Sequence, residues 1–184
     1  VVKKRYSKGE DYFIFVGTLH PRKNLKHLFL AYESYKKRST SKVKLLVVGN
    51  RKWWPSDLEK LYQALAYKEE IIFVGRLSDE ALAKVLGAAK ALTYLPYFEG
   101  FGIPILEAFQ AGVAVITSNV TSMPEIADGA AILCGVEEVE EIAAAMNKIV
   151  EEDQYRMDLI EKGLNRAKDF SWDKSALLFW EHAT

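Results

Sequence analysis

Residues 12–38 read YFIFVGTLHPRKNLKHLFLAYESYKKR, and the order of signals along that stretch decides the fold. YFIFVG (12–17) is an unbroken apolar run rich in aromatic and β-branched residues, the composition of a strand buried on both faces. A short polar turn follows, and NLKHLFLAYESYKKR (24–38) then sets Leu25, Leu28, Phe29 and Tyr32 on one face of a helix. A strand without polar alternation must be covered on both sides, so strand, turn and helix in this order indicate a parallel sheet with crossover helices.

Working outward, the same strand signal recurs in VKLLVVG (43–49), EIIFVG (70–75), AKALTYL (89–95), AVIT (114–117) and AAILC (130–134). Helical segments alternate with these runs; DLEKLYQALAY (57–67) aligns Leu58, Leu61, Tyr62 and Leu65. The expected fold class is α/β, a Rossmann-like doubly wound parallel sheet with extra C-terminal helices. The first three strands end in Gly17, Gly49 and Gly75, and ligands of such sheets gather beyond the carboxyl ends of the strands, at the switch point.

After Cys134 the pattern is helical throughout, over 137–150, 152–170 and 171–183. Ser171 is placed to cap the last helix, with Lys174 where a capping box would put an acid. Trp172, Leu177, Leu178 and Trp180 give that helix more apolar surface than a single stripe needs. Three units are expected: a linker remnant over 1–10, the sheet domain over 11–170, and a C-terminal helix over 171–184 that packs towards a part of the protein absent from this chain.

A chain of 184 residues can bury a sizeable core. Its 25 basic residues match its 25 acidic ones, which argues against nucleic acid or an acidic membrane surface as a partner. The single cysteine, Cys134, cannot form an internal disulfide or a cysteine-built zinc site, and it suits a reducing compartment as a small core residue. No apolar run reaches the ~20 residues of a membrane span, and VVKKRYSKGEDY lacks a signal peptide's apolar region, so a cytoplasmic location is expected.

Three stretches could carry chemistry. In GTLHPRKN (17–24), Arg22 and Lys23 stand at a loop-to-helix junction where two cations oppose the helix dipole unless an anion lies between. A diphosphate would relieve that conflict, with Arg gripping oxygens bidentately and Lys acting as a point charge; on this stretch alone a solvated basic turn serves equally well. In YFEGFGIPILEAFQAG (97–112), Gly100 and Gly102 permit an unusual turn and Pro104 suits a first helical turn. Its free backbone N–H groups would favour a phosphate, and Glu107 farther along could accept from ribose hydroxyls. Glu99 then looks out of place unless it serves another part of the ligand. In VGRLSDEAL (74–82), Ser78 reads as an N-cap, and the backbone of Arg76 and Leu77 could meet a base, although Arg76 reads as well as a surface arginine.

Together with TSNVTSMPEIADGAA (117–131), these motifs, in this order, resemble the donor half of family-4 GT-B glycosyltransferases, the C-terminal half of that fold. The family's Glu-x7-Glu pattern corresponds to Glu99 and Glu107, and the similarity runs from about residue 10 to 183. The resemblance implies retaining transfer from a nucleotide-diphosphate sugar, without metal or other cofactor. Arg22 and Lys23 would hold the diphosphate, with Gly17 and Thr18 beside them, and Glu107 the ribose. Glu99 would face the transferred sugar, and the backbone of Gly100, Phe101, Gly102 and Ile103 would meet sugar and phosphate. Many family members have arginine after the first glycine; Thr18 stands here, so the cationic role rests on Arg22 and Lys23. GDP-mannose is favoured over UDP-sugars by resemblance only. The acceptor, a sugar or a lipid-linked sugar, would be bound by the absent N-terminal domain, which would also account for any location at the inner face of a membrane. With strands for one sheet only, this stretch by itself is expected to bind nucleotide but transfer no sugar. A nucleotide-binding or regulatory module without transfer activity, and half of a nucleotide-sugar epimerase, are the competing expectations.

Overall fold

Six parallel strands form one sheet in the order β3-β2-β1-β4-β5-β6. They are β1 (Tyr12–Val16), β2 (Lys44–Val48), β3 (Ile71–Gly75), β4 (Ala91–Tyr94), β5 (Ala114–Ser118) and β6 (Ile132–Cys134). The computed structural model describes residues 1–51 and 53–183, without the side chains of Leu178, His182 and Ala183, so Leu178 of the final helix lies outside the description.

Every residue of β1 is buried, because the strand runs through the middle of the sheet with Ile14 opposite Leu46 on one side and Leu92 on the other. The chain winds outward from β1 to β3 and then crosses back to lay β4 beside β1. The switch point therefore falls between the exits of β1 and β4. The strand-end glycines lie side by side: the Gly17 N–H donates to the Val48 carbonyl at 3.0 Å, and the Gly49 N–H to the Gly75 carbonyl at 3.0 Å.

The helices are α1 (Val2–Tyr6), α2 (Leu25–Arg38), α3 (Ser56–Ala64), α4 (Asp79–Gly87), α5 (Ile103–Gln110), α6 (Met123–Ala127), α7 (Val139–Glu151), α8 (Asp153–Ala167) and α9 (Trp172–Ala183). Right-handed crossovers put α2 and α3 on one face and α4 and α5 on the other. The packing agrees, with α2 against α3 and α7, and α5 against α4 and α8. This is the doubly wound parallel sheet expected from the sequence, with the extra C-terminal helices.

Two local expectations change. The helix over 57–67 stops at Ala64, because Leu65 turns into an extended conformation (ψ 133°) that buries its side chain. Residues 1–10, read as a linker, hold the short helix α1; Val2 and Tyr6 pack on the core, Ser7 is buried, and the Lys3 ammonium lies 2.5 Å from Asp11. The Ser171 cap forms, its hydroxyl accepting the Lys174 N–H at 3.1 Å. In α9, Trp172 (88% exposed), Leu177, Phe179 and Trp180 face outward. Cys134 is a buried core residue whose thiol is pushed up to about 12 by burial first and by Glu141 second.

Candidate functional site

The loop leaving β1 is tied to the exit of β2 by the Leu19 N–H donating to the Asn50 carbonyl at 3.2 Å. Residues Pro21–Lys23 then form a single 3-10 turn, whose proline needs no N–H partner in the first position. His20 caps this turn, Nδ1 accepting the Arg22 N–H at 3.2 Å. Asn24 follows in the left-handed conformation (φ 58°), a region asparagine tolerates. Its side chain accepts the His27 N–H at 3.4 Å to cap α2, and donates to the Val136 carbonyl at 2.6 Å. Arg22 and Lys23 are thus fixed by caps on both sides.

The loop leaving β4 comes to meet them. The Tyr97 N–H donates to the Arg22 carbonyl at 2.9 Å, and an Arg22 Nη1 donates to the Phe98 carbonyl at 3.4 Å. Ser122, just before α6, holds this loop from the other side, its hydroxyl 2.8 Å from the Glu99 carbonyl oxygen and 3.2 Å from that of Phe101. Gly102 (φ +104°) is the N-cap of α5, and no side chain caps that helix. An L side chain is strained at that φ, which is why glycine stands here; a Cβ would also come within 2.7 Å of the Met123 Cε, the tip of a side chain that would have to shift.

At the switch point the loops bring three charges together. Glu99 Oε2 accepts from Arg22 Nη1 at 2.8 Å, from the Tyr94 hydroxyl at 2.8 Å and from the Lys23 ammonium, which also donates to the Tyr94 hydroxyl. The Lys23 side chain is 9% exposed, that of Glu99 20% and that of Arg22 46%. Burial by itself would raise the Glu99 carboxyl, but Lys23, Tyr94 and Arg22 outweigh it and hold the group below the usual carboxylate range. Burial lowers the Lys23 ammonium, and Glu99 offsets this only in part. Burial, then Glu99, raises the Tyr94 phenol, which stays a neutral donor. The chain itself supplies an anion that relieves the conflict between Arg22, Lys23 and the helix dipole, the carboxylate of Glu99.

The remaining residues singled out in the sequence surround this cluster or stand apart from it. Gly17 and Thr18 lie at the start of the same loop, with Thr18 exposed. Phe101 and Ile103 are exposed at the start of α5, while Gly102 is buried between them. Arg76, exposed, and Leu77, half-buried, follow the edge strand β3 and do not join the ion cluster. Glu107 sits on α5, where burial, and then the charge of Asp79 at the start of α4, raise its carboxyl. No hydrogen bond reaches that carboxylate among the described residues.

Three contributors were not read from the sequence: Tyr94, Ser122 and His20. The signal for Tyr94 was a polar tip within the apolar run AKALTYL, five residues before Glu99. For Ser122 and His20 no local signal marks the partner they hold.

The state of Glu107 has a stability consequence. Its folded-state pKa lies above the unfolded one, so ionising it costs stability at pH values above the folded pKa, and the cost fades as pH falls towards the unfolded pKa. Glu107→Gln is therefore expected to raise Tm at pH 7, with the gain shrinking towards pH 4. On the expectation from the sequence that Glu107 accepts from ribose hydroxyls, the same substitution should weaken binding of a ribonucleotide while leaving a 2′,3′-dideoxy analogue nearly unaffected. Thermal melts at the two pH values and parallel titrations check this; an equal loss for both ligands would separate Glu107 from ribose.

A profile of the family described as glycosyl transferases group 1 matches residues 2–166. Among curated relatives, the chain is 34% identical over 173 residues to O-antigen chain mannosyltransferase B of Escherichia coli, covering 94% of this chain and 45% of that protein. It is 28% identical over 187 residues to the serotype-specific mannosyltransferase WbdA of Escherichia coli, covering 100% of this chain and 23% of that protein. The chain thus spans less than half the length of these relatives. Among solved structures, sucrose-phosphate synthase from Thermosynechococcus elongatus superposes with a TM-score of 0.83 at 24% identity, over 100% of this chain and 48% of that one. Anabaena HepE, solved in complex with UDP and glucose, superposes with a TM-score of 0.80 at 18% identity, over 91% of this chain and 46% of that one. At these identities the superpositions speak for the fold alone.

Proposed function

The chain belongs to the glycosyl transferases group 1 family, and from that premise we propose that it is the C-terminal, donor-binding half of a retaining, family-4 GT-B glycosyltransferase that takes a nucleotide-diphosphate sugar. The observation that carries the reading is the meeting of Arg22, Lys23 and Glu99 at the switch point, beside the uncapped N-terminus of α5. In this reading Arg22, Lys23 and the N–H groups at the start of α5 hold the diphosphate, with Gly17, Thr18 and the Gly100–Ile103 backbone closing round it. Glu107 accepts from the ribose hydroxyls, and the Arg76–Leu77 backbone meets the base.

Cleaving the sugar–phosphate bond gathers negative charge on the leaving diphosphate, and fixed donors aimed at that charge lower the barrier. Arg22 and Lys23 supply those donors from a turn capped on both sides, so no reorganisation is needed as the bond breaks. Glu99 addresses the sugar hydroxyls or the positive charge that develops at the anomeric carbon. Retention follows a front-face course in which the departing phosphate takes the acceptor's proton. The acceptor, a sugar or lipid-linked sugar, is bound by the remainder of the protein, against which the exposed apolar side chains of α9 pack. Mannose as the transferred sugar draws on the names of the two mannosyltransferase relatives, and GDP as its carrier on the family resemblance of the sequence motifs alone.

Titration of GDP-mannose, UDP-glucose and ADP-glucose into the chain by calorimetry tests the reading. Saturable binding is expected, tightest for GDP-mannose. Binding of none of the three by folded protein would overturn the donor-site reading, and a preference for a UDP-sugar would overturn the mannose assignment alone.

A further inference from the structure

The place between Arg22 and Lys23 already has an occupant from the chain itself. Both cations spend their charge on Glu99, and their contacts fall on one oxygen, Oε2, together with the Tyr94 hydroxyl. The second oxygen, Oε1, accepts no hydrogen bond among the described residues. Resting on the donor-site reading above, we propose that Glu99 is a selectivity element, which stands in for the diphosphate and thereby makes the site prefer a nucleotide that still carries its sugar over the spent nucleoside diphosphate.

The argument is one of displaced partners. A diphosphate entering between Arg22 and Lys23 must take both cations from Glu99 or lie against its carboxylate. In the first case a carboxylate that is only 20% exposed loses its counter-charges, in the second it faces another anion at close range, and both are costly for a partly desolvated charge. A sugar attached to the diphosphate repays that cost, because its hydroxyls can donate to the freed carboxylate. A nucleoside diphosphate without sugar brings only acceptor oxygens to that end of the site and cannot. The penalty therefore falls on the product and is largely spared the donor. After transfer Glu99 returns to Lys23 and Arg22 and competes with the diphosphate for them. Tyr94 is suited to hold the resting arrangement, being a neutral, fully buried donor on a sheet strand beside both partners.

Removing the carboxylate should thus strengthen product binding, the reverse of what removal of an ordinary binding residue does. Lys23 would then be a buried cation awaiting an anion, and a diphosphate would enter without a competitor. The test compares GDP with GDP-mannose, and UDP with UDP-glucose, by calorimetry on the parent chain, Glu99→Gln and Glu99→Ala. The parent is expected to prefer the sugar-bearing form. Both variants should bind the nucleoside diphosphate about tenfold more tightly than the parent and lose that preference. Thermal melts identify which variants are folded, and either variant suffices. Unchanged or weaker nucleoside diphosphate binding in the folded variants, with the parent binding normally, would overturn the selectivity role and leave the donor site standing. A folded parent that binds no nucleotide would instead overturn the donor reading, and the inference with it.

Discussion

Lys23→Met should weaken nucleoside diphosphate binding by about two orders of magnitude, the largest loss expected of any single side chain in the site. Methionine keeps the length of the apolar stem, so the substitution removes the ammonium, which lies 4.8 Å from the centre of the Tyr94 ring, with little change in side-chain volume. The lost contact is charge-assisted and nearly buried, and contacts of this kind are worth roughly 1.5–3 kcal/mol, or about 10- to 150-fold in affinity. A second effect adds to the first: Glu99 keeps only Arg22 as counter-ion, so its negative charge is turned towards the incoming diphosphate. Arg22→Ala should cost less, about tenfold, because that side chain is 46% exposed and its charge is screened by water. Both losses should be far smaller for the nucleoside alone. Calorimetry with GDP and with guanosine measures the difference; a Lys23→Met chain that binds GDP as the parent does would remove the lysine from the diphosphate site.

Gly49→Ala should destabilise the fold by more than about 4 kcal/mol, enough to leave little folded protein. A Cβ at this position would stand 1.8 Å from the carbonyl oxygen of Gly17 and 2.9 Å from its carbonyl carbon. Backbone atoms of a central strand cannot move aside as the tip of a side chain can, so the exits of β1 and β2 would have to separate. The residue also has φ +153°, where an L side chain is strained. Separation would break the Gly17–Val48 hydrogen bond and shift the loop that carries Arg22 and Lys23. Gly75→Ala is the control: its Cβ would meet nothing within 4 Å, so only the strain of φ +76° is imposed, and the loss should be about 1 kcal/mol. Chemical denaturation of the two variants beside the parent gives the comparison, and a Gly49→Ala chain as stable as Gly75→Ala would show that the strand exits yield more easily than this geometry allows.

The course of the chain was legible because each segment announces its own structure. A buried parallel strand is an unbroken apolar run, and a covering helix carries apolar residues at three- and four-residue spacing, so YFIFVG and NLKHLFLAYESYKKR declare themselves whatever surrounds them. Arg22, Lys23 and Glu99 were likewise marked locally, by charges that have no good reason to stand at a helix entrance or beside a glycine turn. What no local signal contains is the partner. Arg22 and Glu99 are 77 positions apart, and they meet because the chain returns from β3 to set β4 beside β1, a consequence of how the whole sheet packs. The sequence therefore posed the misplaced carboxylate and the opposed cations as two separate anomalies, and tertiary structure makes them one ion pair.

The same division runs through the rest of the molecule. Tyr94 was legible as a strand residue, but only folding brings its hydroxyl to Lys23 and Glu99. Gly49 was legible as a strand end, whereas the carbonyl of Gly17 pressed against it belongs to a neighbouring strand 32 positions away. Apolar excess in the last helix could be counted from Trp172, Leu177 and Trp180, but helical periodicity describes a face and not what the face meets; their exposure was decided by where α9 lies after Phe170. By itself the sequence determined which segments become strands and helices and which side chains are chemically out of place, since those depend on spacing within a few turns. Tertiary structure alone decided which of these side chains face one another, because contacts between distant segments follow from strand order and crossover handedness, and no residue encodes those singly.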